Sequence, residues 1–378
     1  MILINLKRKI KNIRIFKFFW ANYKSLKAFL VFFINKIILK KQFIPDIYNN
    51  INIETSSRCN LGCKFCAYPK RDLEAHPHQI MSNELFEKII KNVKKIGYKN
   101  IGLTPSTGDI FMDKKIFDKI AMIEKYDFNG YYFYTNFIPI SKDQIKKLIK
   151  SSKLKFLGLS IYGHSLQTFK KFTDSNDVSY KKLLENLNYL YEVISNSTIH
   201  FKLQIGQRSS KDFFLEKDNN DLSLILKKLI KLKNTEYAFK EDFNNWGGIV
   251  NSSDVSDLNI DLNTKYVKKY GACALIFSRM IIGANGNVNA CACRDANYSL
   301  SLGKFNENNL ENIISYKNSK YLDLISNQEK NNFNEVCRNC DFYTSIYTKL
   351  NENWFEVKEN KKLTLEQFNK IMIERNLN

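Results

Sequence analysis

The chain has 378 residues, enough for two structural units and a short extension. Apolar residues make up 44% and aromatics 13%, which excludes a disordered chain. Net charge is +21, but nine Arg stand against fifty Lys; a surface built to grip phosphates favours Arg's planar fork, so charge alone does not make a nucleic-acid binder.

Residues 1–43 carry eleven Lys or Arg and no acid. Phe16, Phe18, Phe19, Trp20, Leu26, Phe29, Leu30 and Phe33 with interspersed Lys predict a basic, aromatic-rich helix. Such a helix suits either an anionic membrane surface or the chain's own barrel. The longest uncharged apolar run, 28–35, is too short to span a bilayer, and no small-residue cleavage site follows. These features predict a cytoplasmic protein, with peripheral contact at the inner face of the membrane open to the N-terminal helix.

From residue 49 the hydrophobic period alternates between strand and helix. Ile51, Ile53 and Thr55 alternate in a strand leading into Arg58-Cys59-Asn60-Leu61-Gly62-Cys63-Lys64-Phe65-Cys66. Ser82 caps a helix carrying Leu85, Phe86, Ile89, Ile90, Val93 and Ile96, which Gly97 ends. A strand is predicted at 100–104, a helix through Ile116, Phe117, Ile120 and Ile123, and a strand at 130–136. Ser141 and Gln144 read as a capping box ahead of Ile145, Leu148 and Ile149. A strand at 155–161 precedes a helix striped by Leu183, Leu184, Leu187, Leu190 and Ile194. A strand at 198–205, a helix at 222–232 and a weak sixth strand at 237–239 complete the series. Alternating βα units predict parallel strands, with chemistry at the strands' C-terminal ends, where the cysteine run emerges. Further on, Asn285-Gly286 predicts a hairpin whose returning strand carries Cys291.

Eight cysteines in such a chain point to metal or redox chemistry rather than disulfides. Cys59, Cys63 and Cys66 form C-x3-C-x2-C. Three thiolates within eight residues can wrap one metal cluster, and an iron–sulfur cubane held by only three leaves one iron open to a small molecule. A Zn site would draw a fourth ligand from His76 or His78. Cys273, Cys291, Cys293, Cys337 and Cys340 form the second group, with Gly286 and Cys291 spaced G-x4-C and Cys337 and Cys340 as C-x2-C. On spacing alone a structural Zn with four Cys fits there as well.

The triplet, with aromatic Phe65 before its last Cys, resembles the signature of the radical S-adenosylmethionine (radical SAM) enzymes. That resemblance implies an α/β fold, a partial (β/α)6 TIM-like barrel, with a [4Fe–4S] cluster on Cys59, Cys63 and Cys66. In that family the open iron chelates the amine and carboxylate of SAM, and reductive cleavage gives a 5′-deoxyadenosyl radical that abstracts hydrogen from substrate. Ser106-Thr107-Gly108-Asp109 is similar to the family's Gly-Gly-Glu motif, which implies that Thr107, Gly108 and Asp109 face the SAM amino group. Asn136 resembles the Asn of the family's Thr-Asn-Gly turn, with Phe137 in place of the Gly. Ser160 resembles a Ser that contacts the SAM carboxylate or ribose. The Arg that relatives place some thirteen residues later is Thr173 here, preceded by Lys170 and Lys171. Gln204, at the predicted end of the fifth strand, suits either ribose hydroxyls or a plain polar strand end.

Beside such a barrel the second group is similar to the SPASM auxiliary-cluster domain, in its shortened Twitch form, because no Cys follows Cys340. This implies a second [4Fe–4S] cluster on Cys273, Cys291, Cys337 and Cys340, with Cys293 a surplus thiol or a replacement for Cys291. The expected organisation is a basic helical extension (1–48), a barrel (49–250) and a small C-terminal α+β cluster domain (251–378). In dehydrogenase relatives a substrate radical loses a proton and passes one electron to the auxiliary cluster, leaving a carbonyl. The expected activity is oxidation of a sugar or cyclitol alcohol, or of a peptide side chain, with a flavodoxin- or ferredoxin-type reductant as partner. The alternatives are redox-neutral epimerisation or bond formation on a peptide or carbohydrate, and an RNA-modifying or nucleic-acid-binding metalloprotein. No RNA-binding module supports the last, so no nucleic acid is expected. Among Glu241, Asp242, Arg294 and Asp295 near the barrel mouth, Asp242 is the expected proton acceptor. Trp246 either lines the substrate cleft or packs the domain junction.

Overall fold

The computed structural model describes residues 14–46, 48–197, 199–240, 242–263, 268–305, 310–349 and 363–374, with backbone alone for 14–21, 24 and 242. The side chains of Phe16, Phe18, Phe19 and Trp20, and the whole of Glu241, therefore lie outside the described residues. Among the described residues, helix α1 (Arg14–Phe33) docks on its own chain against the C-terminal region. Phe32 stacks on Tyr270 at 5.1 Å and meets Tyr347 edge-on at 5.2 Å, while Lys36 pairs with Glu329 at 3.3 Å.

Strands β1 (Asn50–Ile53), β2 (Asn100–Gly102), β3 (Gly130–Thr135), β4 (Leu154–Tyr162), β5 (Lys202–Arg208) and β6 (Thr235–Phe239) pair in parallel in chain order. They alternate with α2 (Asn83–Ile96), α3 (Ile116–Lys125), α4 (Lys142–Lys150), α5 (Leu166–Thr173), α6 (Asp177–Ser195) and α7 (Asp221–Leu229). Local signals set the ends. Ser82 accepts from Leu85 N–H at 3.1 Å, Gly97 closes α2 at φ 100, and Ser141 and Gln144 cap α4 reciprocally. Helix α5, held by a Ser165–Thr168 capping box, was not among the predicted elements. Strand β5 runs past the predicted 205 to Arg208. Gly206 breaks the apolar pattern, but the ladder to β4 (Ser160 opposite Gly206, Tyr162 opposite Arg208) carries the strand onward.

Alternation gives the sheet two faces. Ile51, Ile53, Ile101, Tyr131, Phe133, Leu157, Leu159, Leu203 and Ile205 are buried in the main core. The opposite face carries two polar crossings over glycine. Tyr132 reaches across Gly102 to Asn52 (Oη to Oδ1, 3.3 Å), where a Cβ would stand 2.2 Å from that oxygen. Tyr134 reaches across Gly158 to Gln204 (3.2 Å), where a Cβ would stand 2.1 Å from the ring. Only glycine leaves room for either ring.

The sheet continues beyond β1. After a separate parallel pair, β7 (Asp242–Asn244) and β8 (Asp261–Asn263), come α8 (Leu275–Ser278), β9 (Ile281–Ile282), β10 (Asn287–Asn289) and β11 (Ser301–Lys304). Strand β9 joins β1 in parallel, and β10 and β11 follow antiparallel, giving the order β11-β10-β9-β1-β2-β3-β4-β5-β6. The predicted hairpin forms, but over four residues: Gly283 N–H donates to Asn287 O, Gly286 adopts φ 84, and Cys291 falls just past the returning strand. Helices α9 (Leu310–Ile313), α10 (Ser319–Glu329), α11 (Glu335–Asn339) and α12 (Leu365–Glu374) complete the fold. No described helix is long and apolar enough to cross a membrane.

Candidate active site

The loop bearing Cys59, Cys63 and Cys66 leaves the C-terminal end of β1 and is pinned by helix α5. Gly62 N–H donates to Thr173 O at 2.9 Å and Lys64 N–H to Phe172 O at 3.2 Å. Thr173 thus serves as a buried anchor, its hydroxyl turned onto Phe169 O, and Lys170 pairs outward with Asp177. Cys59 lies near Asn136 Nδ2 (3.9 Å), and Tyr68 N–H donates to Cys66 Sγ at 3.4 Å. Burial, then Asp109, pushes the Cys59 thiol up to about 12, and Cys63 and Cys66 also rise, chiefly through burial. The Arg208 guanidinium, at the end of β5, opposes the rise at Cys63 and Cys66. Thiols held this way ionise only when a cation takes the proton's place.

Among the described residues no three His, Cys, Asp or Glu side chains converge tightly enough to hold a single metal ion. The three thiols nonetheless act on one another electrostatically. Three neighbouring thiols within one loop are the donor set of an iron–sulfur cluster, whereas Zn calls for a fourth side chain beside them. The Zn alternative also loses its imidazoles. His76 is 2% exposed with Nε2 2.6 Å from Glu54 Oε1 and Nδ1 2.9 Å from Ala296 O, while His78 Nδ1 contacts Arg71 at 2.9 Å. Buried Asn60 Nδ2 and Ser106 Oγ lack a protein partner beside this loop, as groups awaiting a polar ligand do.

The residues expected around SAM fall into two sets. Gly108 presses on the loop's start, where a Cβ would stand 2.9 Å from Ser56 O and Arg58 O. Thr107 is held through its carbonyl and hydroxyl by Arg71, which also reaches Ser57 O. Asn136 shares a 2.8 Å hydrogen bond with Asn60, and Ser160 stands on the polar face of β4 beside Gly206. Asp109, by contrast, is 1% exposed and both its oxygens are engaged, Oδ1 by Phe111 N–H and Oδ2 by Thr135 Oγ and Asn136 N–H. One methylene shorter than Glu, it braces the β2 and β3 loops to each other, and burial raises its carboxyl to about 6. Phe65 is buried against Tyr162, Phe172 and Phe243, with ring centroids at 5.1, 6.0 and 5.0 Å. Gln204 lies mid-strand, four residues or roughly 13 Å below Arg208, because β5 extends further than its pattern predicts. Arg208, not Gln204, occupies the strand end, and no sequence signal short of that register marks it. Phe137 takes φ 64 where the family has Gly, and Asn186 Nδ2 secures the strained turn by donating to the carbonyls of Phe137, Ile138 and Ile140.

The second group gathers around Gln328, which accepts from Cys273 N–H at 2.8 Å and donates to Cys337 Sγ at 3.5 Å. Phe342 N–H donates to Cys340 Sγ and Cys293 N–H to Cys291 Sγ. Cys293 acts electrostatically on Cys273, Cys291 and Cys340, so five thiols share this region rather than four. Burial raises Cys273 to about 12, and Lys269, itself lowered by burial, faces Cys340, Cys337 and Cys273 as a nearly buried cation. Arg294 bonds Cys293 O and Asp341 and stacks on Phe342, close to Trp246. Trp246 Nε1 donates to Phe65 O at 3.1 Å, so it ties the first loop to this region. Asp295 is fully engaged by Asn289, Ser299 and Leu300 and is no free base; Asp242 opens β7, its side chain outside the described residues.

Between the two groups lies a buried network the sequence reading missed. Glu54, 0% exposed, binds His76 through Oε1 and accepts Ser106 N–H at 2.8 Å through Oε2. His76 packs on Tyr298 at 4.4 Å. The end of β1, the loop after the triplet, the β2 loop and the segment after Cys293 thus meet at one carboxylate.

Comparisons with known proteins agree with this geometry. A model of the radical SAM superfamily matches residues 53–204, and a SPASM iron–sulfur cluster-binding domain matches residues 273–341. A GTP 3′,8-cyclase of Aquifex aeolicus (strain VF5) is 23% identical over 307 residues, 72% of this chain and 91% of its own length. BtrN, solved in complex with AdoMet and 2-DOIA, superposes with a TM-score of 0.51 at 14% identity, covering 84% of this chain and 99% of its own. SuiB of Streptococcus suis, solved with precursor peptide SuiA, gives 0.51 at 15%, covering 79% and 72%. At such identities the solved structures speak for the fold alone.

Proposed function

Because this chain belongs to the radical SAM superfamily and carries a C-terminal iron–sulfur cluster-binding domain, we propose that it oxidises a sugar or cyclitol alcohol, or a peptide side chain. The single observation that carries the reading is the second thiol group, buried around Gln328 beside a cation. When bound, SAM and the cluster on Cys59, Cys63 and Cys66 supply a 5′-deoxyadenosyl radical, and a second [4Fe–4S] cluster on Cys273, Cys291, Cys337 and Cys340 supplies an electron acceptor. The chain's own residues bind and orient. Arg208 offers a guanidinium to the SAM carboxylate, the place left open by Thr173, and the β2 loop presents Thr107 and Gly108 backbone to the same ligand. Tyr134, 40% exposed, and Gln204 offer hydroxyl and amide to a polar substrate inside the barrel. Asp242, directly past β6, takes the substrate proton by its place in the chain. A flavodoxin- or ferredoxin-type protein delivers the electron, and the setting is cytoplasmic. BtrN, solved with 2-DOIA, and SuiB, solved with a precursor peptide, share the fold and mark the two substrate classes to test. Bond formation without net oxidation is the second reading, favoured by the cyclase relative.

Anaerobic reconstitution with iron counting and product analysis tests the proposal. About eight irons per chain, with one SAM consumed per two-electron oxidised product, is the expected result. Zinc in the second site, or a product at the substrate's oxidation level, overturns it.

A further inference from the structure

Helix α1 and the π-helical turn continuing it (Ile34–Ile38) carry an apolar stripe that the enzyme reading does not use. Leu26, Leu30, Phe33 and Ile37 recur at i, i+4, i+7 and i+11, one face of the helix, and are 58, 46, 44 and 56% exposed. A surface helix ordinarily turns such a stripe inward. Here the inward side is the other one: Phe32 packs on Tyr270 and Tyr347, Asn35 Nδ2 donates to Tyr347 O at 2.8 Å, and Lys36 pairs with Glu329. The helix is clamped by that side, and the fold itself holds the apolar stripe outward. A contiguous exposed patch of this kind marks an interaction surface.

We propose that this face lies in the plane of an anionic lipid bilayer, at the boundary between headgroups and acyl chains. Charge selects the lipid over a second copy of the chain. Residues 1–43 hold eleven Lys or Arg and no acid, and Lys27, Lys40 and Lys41 are exposed along and just beyond the stripe. Two such faces brought together would oppose their lysines, whereas anionic headgroups neutralise them. Geometry selects lying over crossing: the stripe from Leu26 to Ile37 is roughly 17 Å long, about half a bilayer core, and no described helix can span one. The assignment is independent of the substrate and of the reaction type.

Pelleting of the full chain with phosphatidylcholine vesicles, with and without phosphatidylglycerol, decides it. The wild type should pellet with the anionic vesicles and be released by salt. Leu30→Ser with Ile37→Ser should abolish binding. Lys27→Gln with Lys40→Gln and Lys41→Gln should weaken it roughly a hundredfold, at about fivefold per lysine. Circular dichroism and SAM cleavage in vesicle-free solution should stay unchanged in both, since none of these residues touches the cysteine groups. If a variant misfolds, the salt dependence of wild-type binding decides alone. Equal pelleting with both vesicles, absence of binding, or a concentration-dependent dimer dissolved by the Leu30 and Ile37 changes would overturn the proposal.

Discussion

Replacing Glu54 separates hydrogen bonding from packing at the carboxylate where four segments meet. Its Oε1 lies 2.6 Å from His76 Nε2, its Oε2 accepts Ser106 N–H at 2.8 Å, and His76 Nδ1 lies 2.9 Å from Ala296 O. A carbonyl only accepts, so Nδ1 carries a hydrogen, and the pair's remaining proton sits between Nε2 and Oε1. In Glu54→Gln the amide oxygen still accepts from Ser106 N–H. Its NH2 donates to Nε2 of a neutral imidazole, so every partner is kept. The expected cost is about 1 kcal/mol, the size of one ordinary hydrogen bond. In Glu54→Leu the volume is similar, but Ser106 N–H and His76 Nε2 are both orphaned in the interior. At about 1–3 kcal/mol for each, the loss is about 2–6 kcal/mol, which brackets the cost of breaking a buried ion pair. Urea midpoints of the cluster-free chain measure both variants. SAM affinity of the reconstituted protein should fall in parallel, because Ser106 opens the loop that includes Thr107 and Gly108. Equal destabilisation by Gln and Leu, or a Leu cost below about 1 kcal/mol, would refute the hydrogen-bonding account.

Arg208→Gln should raise the SAM dissociation constant roughly tenfold to a hundredfold, the worth of one charge-assisted hydrogen bond; an unchanged constant removes Arg208 from the site. Cys291→Ser should cut iron from about eight to about four per chain and Cys293→Ser should not. The reverse outcome hands the ligand role to Cys293. Lys269→Gln, which deletes the cation facing the second thiol group, should lower the midpoint potential of that cluster in a redox titration followed by electron paramagnetic resonance. The carboxyl of Asp109, raised to about 6 by burial, favours the fold in its protonated state. Its stabilising contribution, about 3 kcal/mol, is complete below pH ~4 and disappears as pH rises through ~6. Asp109→Asn should therefore flatten the decline in urea midpoint between pH ~4 and ~7, and parallel curves for the two chains would contradict the assignment.

What could be read from the sequence was what neighbours in the chain decide among themselves. The cap at Ser82 and the box at Ser141 and Gln144 are local, and each appears where its pattern placed it; the spacing of Cys59, Cys63 and Cys66 is local in the same sense. The structure departs from the local pattern where distant segments settle the outcome. Gly206 ends the apolar pattern of β5, yet pairing with Ser160 and Tyr162 on β4 carries the strand to Arg208 and leaves Gln204 deep in the barrel. Asp109 stands where the family keeps a carboxylate, but donors from Phe111, Thr135 and Asn136 engage it. Phe137 holds a left-handed turn without glycine because Asn186, 49 residues on, fixes its carbonyl. Glu54 and His76 are 22 residues apart, and neither lies in a cysteine motif. A ligand motif must be local because its donors converge on one group, whereas the side chains that set charge around that group come from whichever strand ends the fold brings there. Sequence spacing therefore identifies the kind of chemistry, and strand register determines which charges tune it. The shift from Gln204 to Arg208 turns on four residues of one ladder.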